Sequence, residues 1–192
     1  MDDKRNRVLE YSWKRFMESG YSGVTMDDIA RSCGYGKATV YKLFDSKETL
    51  LLRSIEFFAE KQKLIIGSIL DDKTVRPDEK LGRIMKPLLA ALSHVNASTL
   101  DDIRRNAPEA YRMIDAKRRE MIFQNITAII AEGKISGDFR FDIDPALVAN
   151  IIIGAVSHTV NPVIIESLNL TPSQILDNIV SIIINGCRPS RV

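Results

Sequence analysis

The stretch Thr25–Lys47 reads TMDDIARSCGYGKATVYKLFDSK and contains the clearest structural pattern in this sequence of 192 residues. Thr25 is followed three residues later by Asp28, which is the spacing of a capping box and predicts the start of a helix. Gly34 lies where that helix is expected to end, because glycine readily adopts the left-handed backbone of a helix C-terminus. The pattern therefore predicts a short helix followed by a tight turn.

A second short helix is predicted directly after this turn, over residues 37–44. Val40 and Phe44 are four positions apart and therefore share the inner face of such a helix. The residues on its outer face are Lys37, Thr39, Tyr41 and Lys42. Lysine binds phosphate or guanine, threonine contacts base edges or thymine methyl groups, and a tyrosine hydroxyl binds phosphate. The two helices form a helix-turn-helix, and this outer face suits the major groove of DNA.

Residues on both sides of the helix-turn-helix extend the pattern. Its positions are Val8, Leu9, Phe16, Gly20, Tyr21, Thr25, Asp28, Ile29, Ala30, Gly34, Lys37, Thr39, Val40, Tyr41, Phe44, Ser46, Lys47, Glu48, Leu50 and Leu51. At this spacing the chain resembles the N-terminal domain of the TetR family of bacterial transcriptional regulators. Gly36 departs from the family, which usually has a serine there, and Asp45 stands where the family often has proline.

The resemblance implies a role in DNA binding for particular residues of the helix-turn-helix. Those expected to contact the major groove and phosphates are Lys37, Thr39, Tyr41 and Lys42. Those expected at the DNA backbone are Thr25, Tyr35, Gly36 and Lys47. Because Gly36 has no hydroxyl, it is expected to act only through its backbone N–H.

The local charge of the helix-turn-helix supports DNA binding better than the net charge of the whole chain does. The net charge is only +2. Between Arg31 and Lys47, however, four basic residues stand against one acidic residue, Asp45. The sequence therefore predicts a positive surface on the helix-turn-helix and a nearly neutral remainder.

Composition and motifs exclude several other classes of protein. The charged N-terminus lacks the apolar segment of a secretory signal, and the longest apolar runs, 147–156 and 179–184, are too short to span a bilayer. We therefore expect a cytoplasmic protein that does not bind membranes. The cysteines Cys33 and Cys187 have no metal-ligand spacing, and neither a phosphate loop nor a nucleophile elbow occurs. We expect no metal, no cofactor and no enzymatic activity.

Helix signals continue to the end of the chain and predict an all-α fold of about nine helices. Ser46 begins a helix that is expected to run to about residue 70 and to connect a head to a body. The predicted head is residues 1–46, a three-helix DNA-binding domain. The predicted body is residues 47–192, a larger effector-binding and dimerisation domain. Within it, a long helix that begins at Pro108 is expected to end at Gly133.

Two predicted helices near the C-terminus carry aliphatic residues on more than one face, within 147–156 and 175–184. One face can pack inside the chain, and the other then requires a second surface, such as a two-fold partner that uses the same helices. Two central core helices in a monomer are the alternative. The resemblance implies the dimer, and the interface residues expected are Ile151, Ala155, Ile175, Ile179, Ile182 and Ile183.

An effector pocket is predicted from Pro87, which lies inside an apolar helical pattern and is expected to kink that helix. A kinked helix with nearby methionines can enclose an adaptable cavity. The residues expected to line the pocket are Met85, Leu88, Leu89, Met113, Phe123 and His158. An ordinary core is the alternative for these residues. The expected ligand is apolar or of mixed character.

These features favour a homodimeric repressor that binds a palindromic operator in double-stranded DNA and is released by a small-molecule effector. The alternative is a DNA-binding protein whose helical body binds a protein partner. DNA binding does not by itself distinguish repression from activation.

Overall fold

The structure, a computed structural model, describes residues 2–92, 97–159 and 162–189. Side chains outside this description are those of Asp2, residues 85–92, Ala97, Pro162, Val163, Glu166 and Pro172. Within the described ranges the chain forms ten α-helices and no β-strand. The prediction of an all-α fold is confirmed.

The helices are α1 (Asp2–Ser19), α2 (Met26–Cys33), α3 (Lys37–Leu43), α4 (Lys47–Asp71), α5 (Pro77–Leu92), α6 (Ala97–Asn106), α7 (Pro108–Ser136), α8 (Pro145–Thr159), α9 (Pro162–Leu168) and α10 (Pro172–Cys187). The sequence patterns did not predict α9. It has only seven residues, and a helix of less than about two turns shows no clear periodicity. None of the described helices is both long and apolar enough to cross a membrane.

The chain packs into two compact units. The head unit comprises residues 1–63 and 94–117, and the body unit comprises residues 64–93 and 118–192. The head unit therefore includes α6 and the first part of α7, which the sequence patterns had assigned to the body. This is a division by packing, and the functional division at residue 46 stays a prediction.

The head unit has a continuous apolar core that fixes the helix-turn-helix. Phe16 of α1, Ile29 of α2 and Val40 of α3 are fully buried, and α6 contributes Ile103. Each such side chain contributes about 1.5–3 kcal/mol relative to an exposed one. Helices as short as α2 and α3 are unstable in isolation, so this packing holds them in place.

The body unit has a separate core, to which α5 contributes Leu81, α7 contributes Ile129 and Ile130, and α8 contributes Ala149. Lys80 is also fully buried there. Its ammonium donates to both carboxylate oxygens of Glu132 at 2.8 Å and to the carbonyl of Leu70 at 2.7 Å. These partners compensate the burial of its charge. Since Leu70 lies in the last turn of α4, its carbonyl has no partner within the helix, and Lys80 caps that end.

The predicted end of α7 at Gly133 is wrong. The helix continues to Ser136, and Gly137, with φ of +80°, follows it. Gly133 instead accommodates the ring of Phe139, which a β-carbon at this position would overlap. Phe139 is 2% exposed. The glycine at this position therefore serves helix-to-loop packing, whereas a positive φ is required only at Gly137.

Candidate nucleic-acid interface

The N-terminus of α2 carries the predicted capping box. The backbone N–H of Asp28 donates to Thr25 Oγ1 at 3.1 Å, and the N–H of Thr25 donates to Asp28 Oδ2 at 2.9 Å. The Thr25 hydroxyl also donates to that carboxylate at 2.6 Å. These bonds, with a further contribution from Arg31, lower the pKa of Asp28 to about 2. A charged Asp28 therefore fixes the start of α2.

The turn after α2 depends on the left-handed backbone of Gly34, which has φ of +73°. Its N–H donates to the carbonyls of Ala30 and Arg31, and the N–H of Tyr35 donates to Ala30 at 3.0 Å. These bonds satisfy carbonyls at the end of the helix and reverse the chain. As predicted, Gly34 ends α2.

The two faces of α3 are those that the sequence predicted. Val40 and Phe44 are 0% and 1% exposed and anchor its inner side. The exposed residues of the outer side include Lys37, Thr39, Tyr41 and Lys42. Gly36 is the N-cap residue and makes no side-chain cap. The predicted major-groove residues therefore lie together on one accessible surface, which we call the α3 outer face.

Lys37, at the start of α3, is paired with an acidic residue of α2. Its ammonium lies 2.9 Å from Asp27 Oδ1 and 3.1 Å from Oδ2. The hydrogen bond and the charge of Asp27 raise the pKa of Lys37. The same ammonium is 5.7 Å from the centre of the Tyr41 ring. The sequence pattern did not predict this pair, because Asp27 lies outside the segment from Arg31 to Lys47 whose charges were compared.

The residues predicted at the DNA backbone lie at the start of α2, in the turn between α2 and α3, and at the start of α4. Thr25 is exposed, although its hydroxyl is occupied by the capping box. Tyr35 is half-buried. Lys47, in the first turn of α4, is also half-buried and places its ammonium 4.1 Å from the centre of the Tyr21 ring. Burial lowers the pKa of Lys47, while the charge of Asp102 acts in the opposite direction.

Two arginines of α1 also contact this region, and the sequence patterns did not place them there. Arg5 lies over the Phe44 ring, 4.7 Å from its centre, and donates to the Leu43 carbonyl at 3.5 Å. Arg7 lies 5.8 Å from the centre of the Tyr35 ring. Arginine stacked on an aromatic ring contributes about 0.5–1 kcal/mol at exposed sites. Arg5 therefore supports the end of α3, and Arg7 adds positive charge beside Tyr35.

Asp102 of α6 holds the loop between α1 and α2. Its Oδ2 accepts a hydrogen bond from the backbone N–H of Ser22 at 2.8 Å. Gly20, in the same loop, has φ of +74°, and a β-carbon there would lie 2.6 Å from the same oxygen. Nothing in the local sequence indicates this contact, because Asp102 and Ser22 are 80 positions apart.

The residues predicted for a dimer interface differ in exposure. Ile182 is 71% exposed and Ile151 is 49% exposed. Ala155, Ile179 and Ile183 are half-buried. Ile175 is only 3% exposed, so it lies in the interior of the single chain. Leu147, which was not predicted, is 59% exposed and lies four residues before Ile151 on α8.

The residues predicted for an effector pocket are spread over both units. Met113 belongs to the head unit and packs against its core. Phe123 and His158 belong to the body unit, where both are exposed. Phe123 lines an open groove of about 330 Å³ together with Arg119, Gln124, Asn150 and Ile153. The predicted contributions of Met85, Leu88 and Leu89 lie outside the described side chains.

The described residues contain no group of three or more histidine, cysteine, aspartate or glutamate side chains that could hold a metal ion. Both cysteines are buried, and burial raises the pKa of each thiol.

Comparison with known proteins agrees with this geometry. Residues 8–53 match a family model described as bacterial regulatory proteins, tetR family. Residues 58–186 match a model described as YsiA-like protein, C-terminal region. The two matches cover the helix-turn-helix and most of the remaining chain.

Two similar proteins extend over nearly the whole length. The HTH-type transcriptional regulator YvaF of Bacillus subtilis (strain 168) is 25% identical over 94% of this chain and 93% of its own. The HTH-type transcriptional repressor DhaR of Mycobacterium sp. (strain GP1) is 28% identical over 97% of this chain and 93% of its own.

The fold is shared with the transcriptional regulator FadR from Bacillus subtilis, whose crystal structure is a complex with stearoyl-CoA. The TM-score is 0.64 at 21% identity, over 95% of this chain and 98% of FadR. YvaF, DhaR and FadR are transcriptional regulators. The prediction of a regulator rather than an enzyme is confirmed. On the two family matches and the helix-turn-helix geometry, this chain belongs to the TetR family of transcriptional regulators.

Proposed function

We propose that this protein is a homodimeric repressor that binds a palindromic operator through the α3 outer face and is released by a small-molecule effector. The observation that carries the proposal is the exposure of Lys37, Thr39, Tyr41 and Lys42 on a helix whose other side is buried. Such a surface can enter the major groove while the core keeps its shape. Thr25, Tyr35, Gly36 and Lys47 would then contact the DNA backbone.

Repression, rather than activation, is supported by similarity to DhaR, which is a repressor. A repressor acts by occupying DNA, so a DNA-binding head and a means of release are sufficient for it. The proposal places the protein in the cytoplasm, where the operator is found.

Dimerisation is proposed through α8 and α10, which pack against each other within the body unit. Ile151 of α8 and Ile182 of α10 leave apolar surface exposed in the single chain. Ala155, Ile179 and Ile183 would complete the contact, and Leu147 would extend it. Ile175 is left out because it is already buried. Two-fold symmetry would place two α3 helices on one side of the duplex, about 34 Å or a multiple apart.

The effector is proposed to be a molecule of apolar or mixed character. FadR, which shares the fold, was crystallised with stearoyl-CoA, a ligand with an apolar chain and a charged head. Stearoyl-CoA is therefore the first compound to test, with stearate and coenzyme A as separate controls. An effector lowers operator affinity only by as much as it prefers the DNA-free conformation, and 1–3 kcal/mol is typical of such coupling.

The proposal is tested by selecting duplexes bound by the purified protein from a random DNA pool at two salt concentrations. We expect enrichment of a palindrome with half-sites about one helical turn or more apart. The selected duplex then serves as the probe for release by stearoyl-CoA. Weak, salt-sensitive binding without an enriched sequence would contradict the proposal of a sequence-specific repressor.

The alternative, a body that binds a protein partner, is favoured by two exposed apolar side chains that lie on neither helix of the proposed dimer face. Ile135 and Phe141 are 90% and 85% exposed. Release of the operator by a co-purified protein, with no response to small molecules, would support this alternative.

A further inference from the structure

Lys37, one of the cations that the proposed function assigns to DNA, already forms an ion pair with Asp27 in the free protein. Both carboxylate oxygens of Asp27 lie within 3.1 Å of the Lys37 ammonium. The two side chains are 51% and 61% exposed, so the pair lies in solvent on the surface. Exposed ion pairs of this kind stabilise the fold only weakly, because water and salt screen the two charges. A DNA phosphate can therefore replace the carboxylate at small cost.

Asp27 lies in the first turn of α2, where a negative charge favours the helix dipole, but it does not cap the helix. The capping box of α2 is formed by Thr25 and Asp28, and Asp27 takes no part in it. Its carboxylate points instead to Lys37, at the start of α3. The first turn of α3 has no acidic residue of its own, and a lysine there opposes the helix dipole. Asp27 thus supplies from α2 the negative charge that favours Lys37 in the free protein.

We infer that Asp27 is an intramolecular competitor of DNA phosphate for Lys37, which weakens the sequence-independent part of DNA binding. In the free protein Lys37 is neutralised by Asp27. When DNA approaches, the carboxylate gives up the ammonium to a phosphate. This inference rests on the proposed DNA-binding function, because it requires the α3 outer face to meet DNA.

Lys42 provides the contrast on the same helix. It is exposed on the α3 outer face, and within the described part of the chain no ion pair involves it. Lys42 therefore meets a phosphate at full charge, whereas Lys37 must first exchange one anion for another. Counterion release depends on the charge that the protein brings to the phosphates. Removal of Asp27 is accordingly expected to steepen the salt dependence by about one phosphate contact, a slope change of about 0.9.

The test compares the wild-type protein with Asp27→Asn on a random-sequence duplex between 50 and 200 mM salt. We expect Asp27→Asn to bind more tightly, and its advantage to be about 3.5-fold larger at 50 mM than at 200 mM, as a slope change of about 0.9 requires. Glu10→Gln is the matched control. Glu10 is also exposed in the head unit, where it pairs with Lys61 at 2.6 Å, and its removal is expected to leave the slope unchanged.

A double-mutant cycle with Lys37→Met tests the route of the effect. If Asp27 acts through Lys37, Asp27→Asn brings no gain in the Lys37→Met background. An equal gain in both backgrounds would show direct repulsion of DNA and overturn the inference. Weaker binding by Asp27→Asn would also overturn it, since Asp27 would then position Lys37 for DNA. Thermal unfolding of each variant verifies that the head is folded.

The random-sequence duplex separates this inference from the proposed function. Suppose that the wild-type protein selects no palindrome, but Asp27→Asn binds the random duplex more tightly and loses this gain in the Lys37→Met background. The inference then stands and the repressor proposal fails. If a palindrome is selected and Asp27→Asn has wild-type affinity and slope, the inference fails alone.

Discussion

Individual side chains on α3 are proposed to make the contacts with DNA. Lys42 is exposed and is not a member of the apolar core of the head unit. Its truncation should therefore affect DNA without affecting folding. The same cannot be expected of Val40 or Phe44, whose burial holds α3 in place.

Lys42→Ala is expected to weaken operator binding and to reduce the slope of affinity against salt by about one, because one phosphate contact is lost. Helix content by circular dichroism should be unchanged. Fluorescence anisotropy at several salt concentrations measures the effect. Lys63→Ala, an exposed lysine of α4 outside the predicted interface, is the control. Equal affinity for Lys42→Ala and the wild-type protein would contradict the assignment.

The capping box makes head stability depend on pH in a definite direction. Hydrogen bonds from Thr25 lower the pKa of Asp28 from 3.8 to about 2. A carboxyl group with a lowered folded-state pKa stabilises the fold at pH values above its ordinary pKa. That contribution is complete above about pH 4 and is lost as the pH falls towards 2.

Thr25→Ala is expected to lower the free energy of unfolding by about 1 kcal/mol at pH 7, since the cap of α2 is removed. The difference from the wild-type protein should shrink as the pH falls from 4 towards 2, because the wild-type carboxylate becomes protonated as the pH approaches its pKa of about 2. Urea unfolding at a series of pH values measures it. Thr39→Ala, on the exposed outer face, serves as the control, and a difference that is constant with pH would contradict the explanation.

Among the helices, α6 determines how the loop between α1 and α2 is held. It lies far along the sequence but belongs to the head unit, and Asp102 is its contact with Gly20 and Ser22. A second glycine, Gly34, has nearly the same φ of +73° but no atom within 4 Å of a β-carbon placed on it. Substitution of Gly34 therefore tests backbone strain alone, whereas substitution of Gly20 tests the same strain together with packing against α6.

Gly34→Ala is expected to cost about 1–2 kcal/mol, the strain of a left-handed alanine. Gly20→Ala should cost more, because its β-carbon also meets Asp102. The excess should disappear in an Asp102→Ala background, where that oxygen is absent. Chemical denaturation of the single and double variants measures these differences. Equal costs at the two glycines would show that α6 does not restrain the loop.

Assembly of two chains would depend on the apolar surface of α8 and α10, which no single side chain creates alone. Ile182 is 71% exposed, so a charge there should be hydrated in the single chain. In a dimer interface the same charge would be buried without a partner, which is strongly unfavourable.

Ile182→Glu is therefore expected to yield folded monomers and to lose high-affinity binding to a palindrome, since two linked heads are no longer available. Sedimentation velocity and operator titration measure both effects. Ile135→Glu is the control, because Ile135 is 90% exposed and is not part of the proposed face. A dimeric Ile182→Glu protein would place the interface elsewhere.

Local sequence patterns were sufficient to predict the helix-turn-helix and the all-α fold. A capping box, a helix-ending glycine and an apolar periodicity act over three to five residues, so they are visible in the chain itself. For the same reason the outer face of α3 could be predicted. The helix α9 was too short for such a pattern, and the end of α7 was misplaced because a glycine that admits a ring resembles a glycine that ends a helix.

Contacts between distant segments were decided only by tertiary structure. The burial of Lys80 with Glu132, the contact of Asp102 with Ser22, and the interior position of Ile175 depend on which helices meet. Even the pair of Asp27 with Lys37, ten residues apart, requires the turn to bring two helices together. Hydrogen bonds and ion pairs act over a few ångströms of space, and sequence separation does not record that distance until the core has packed.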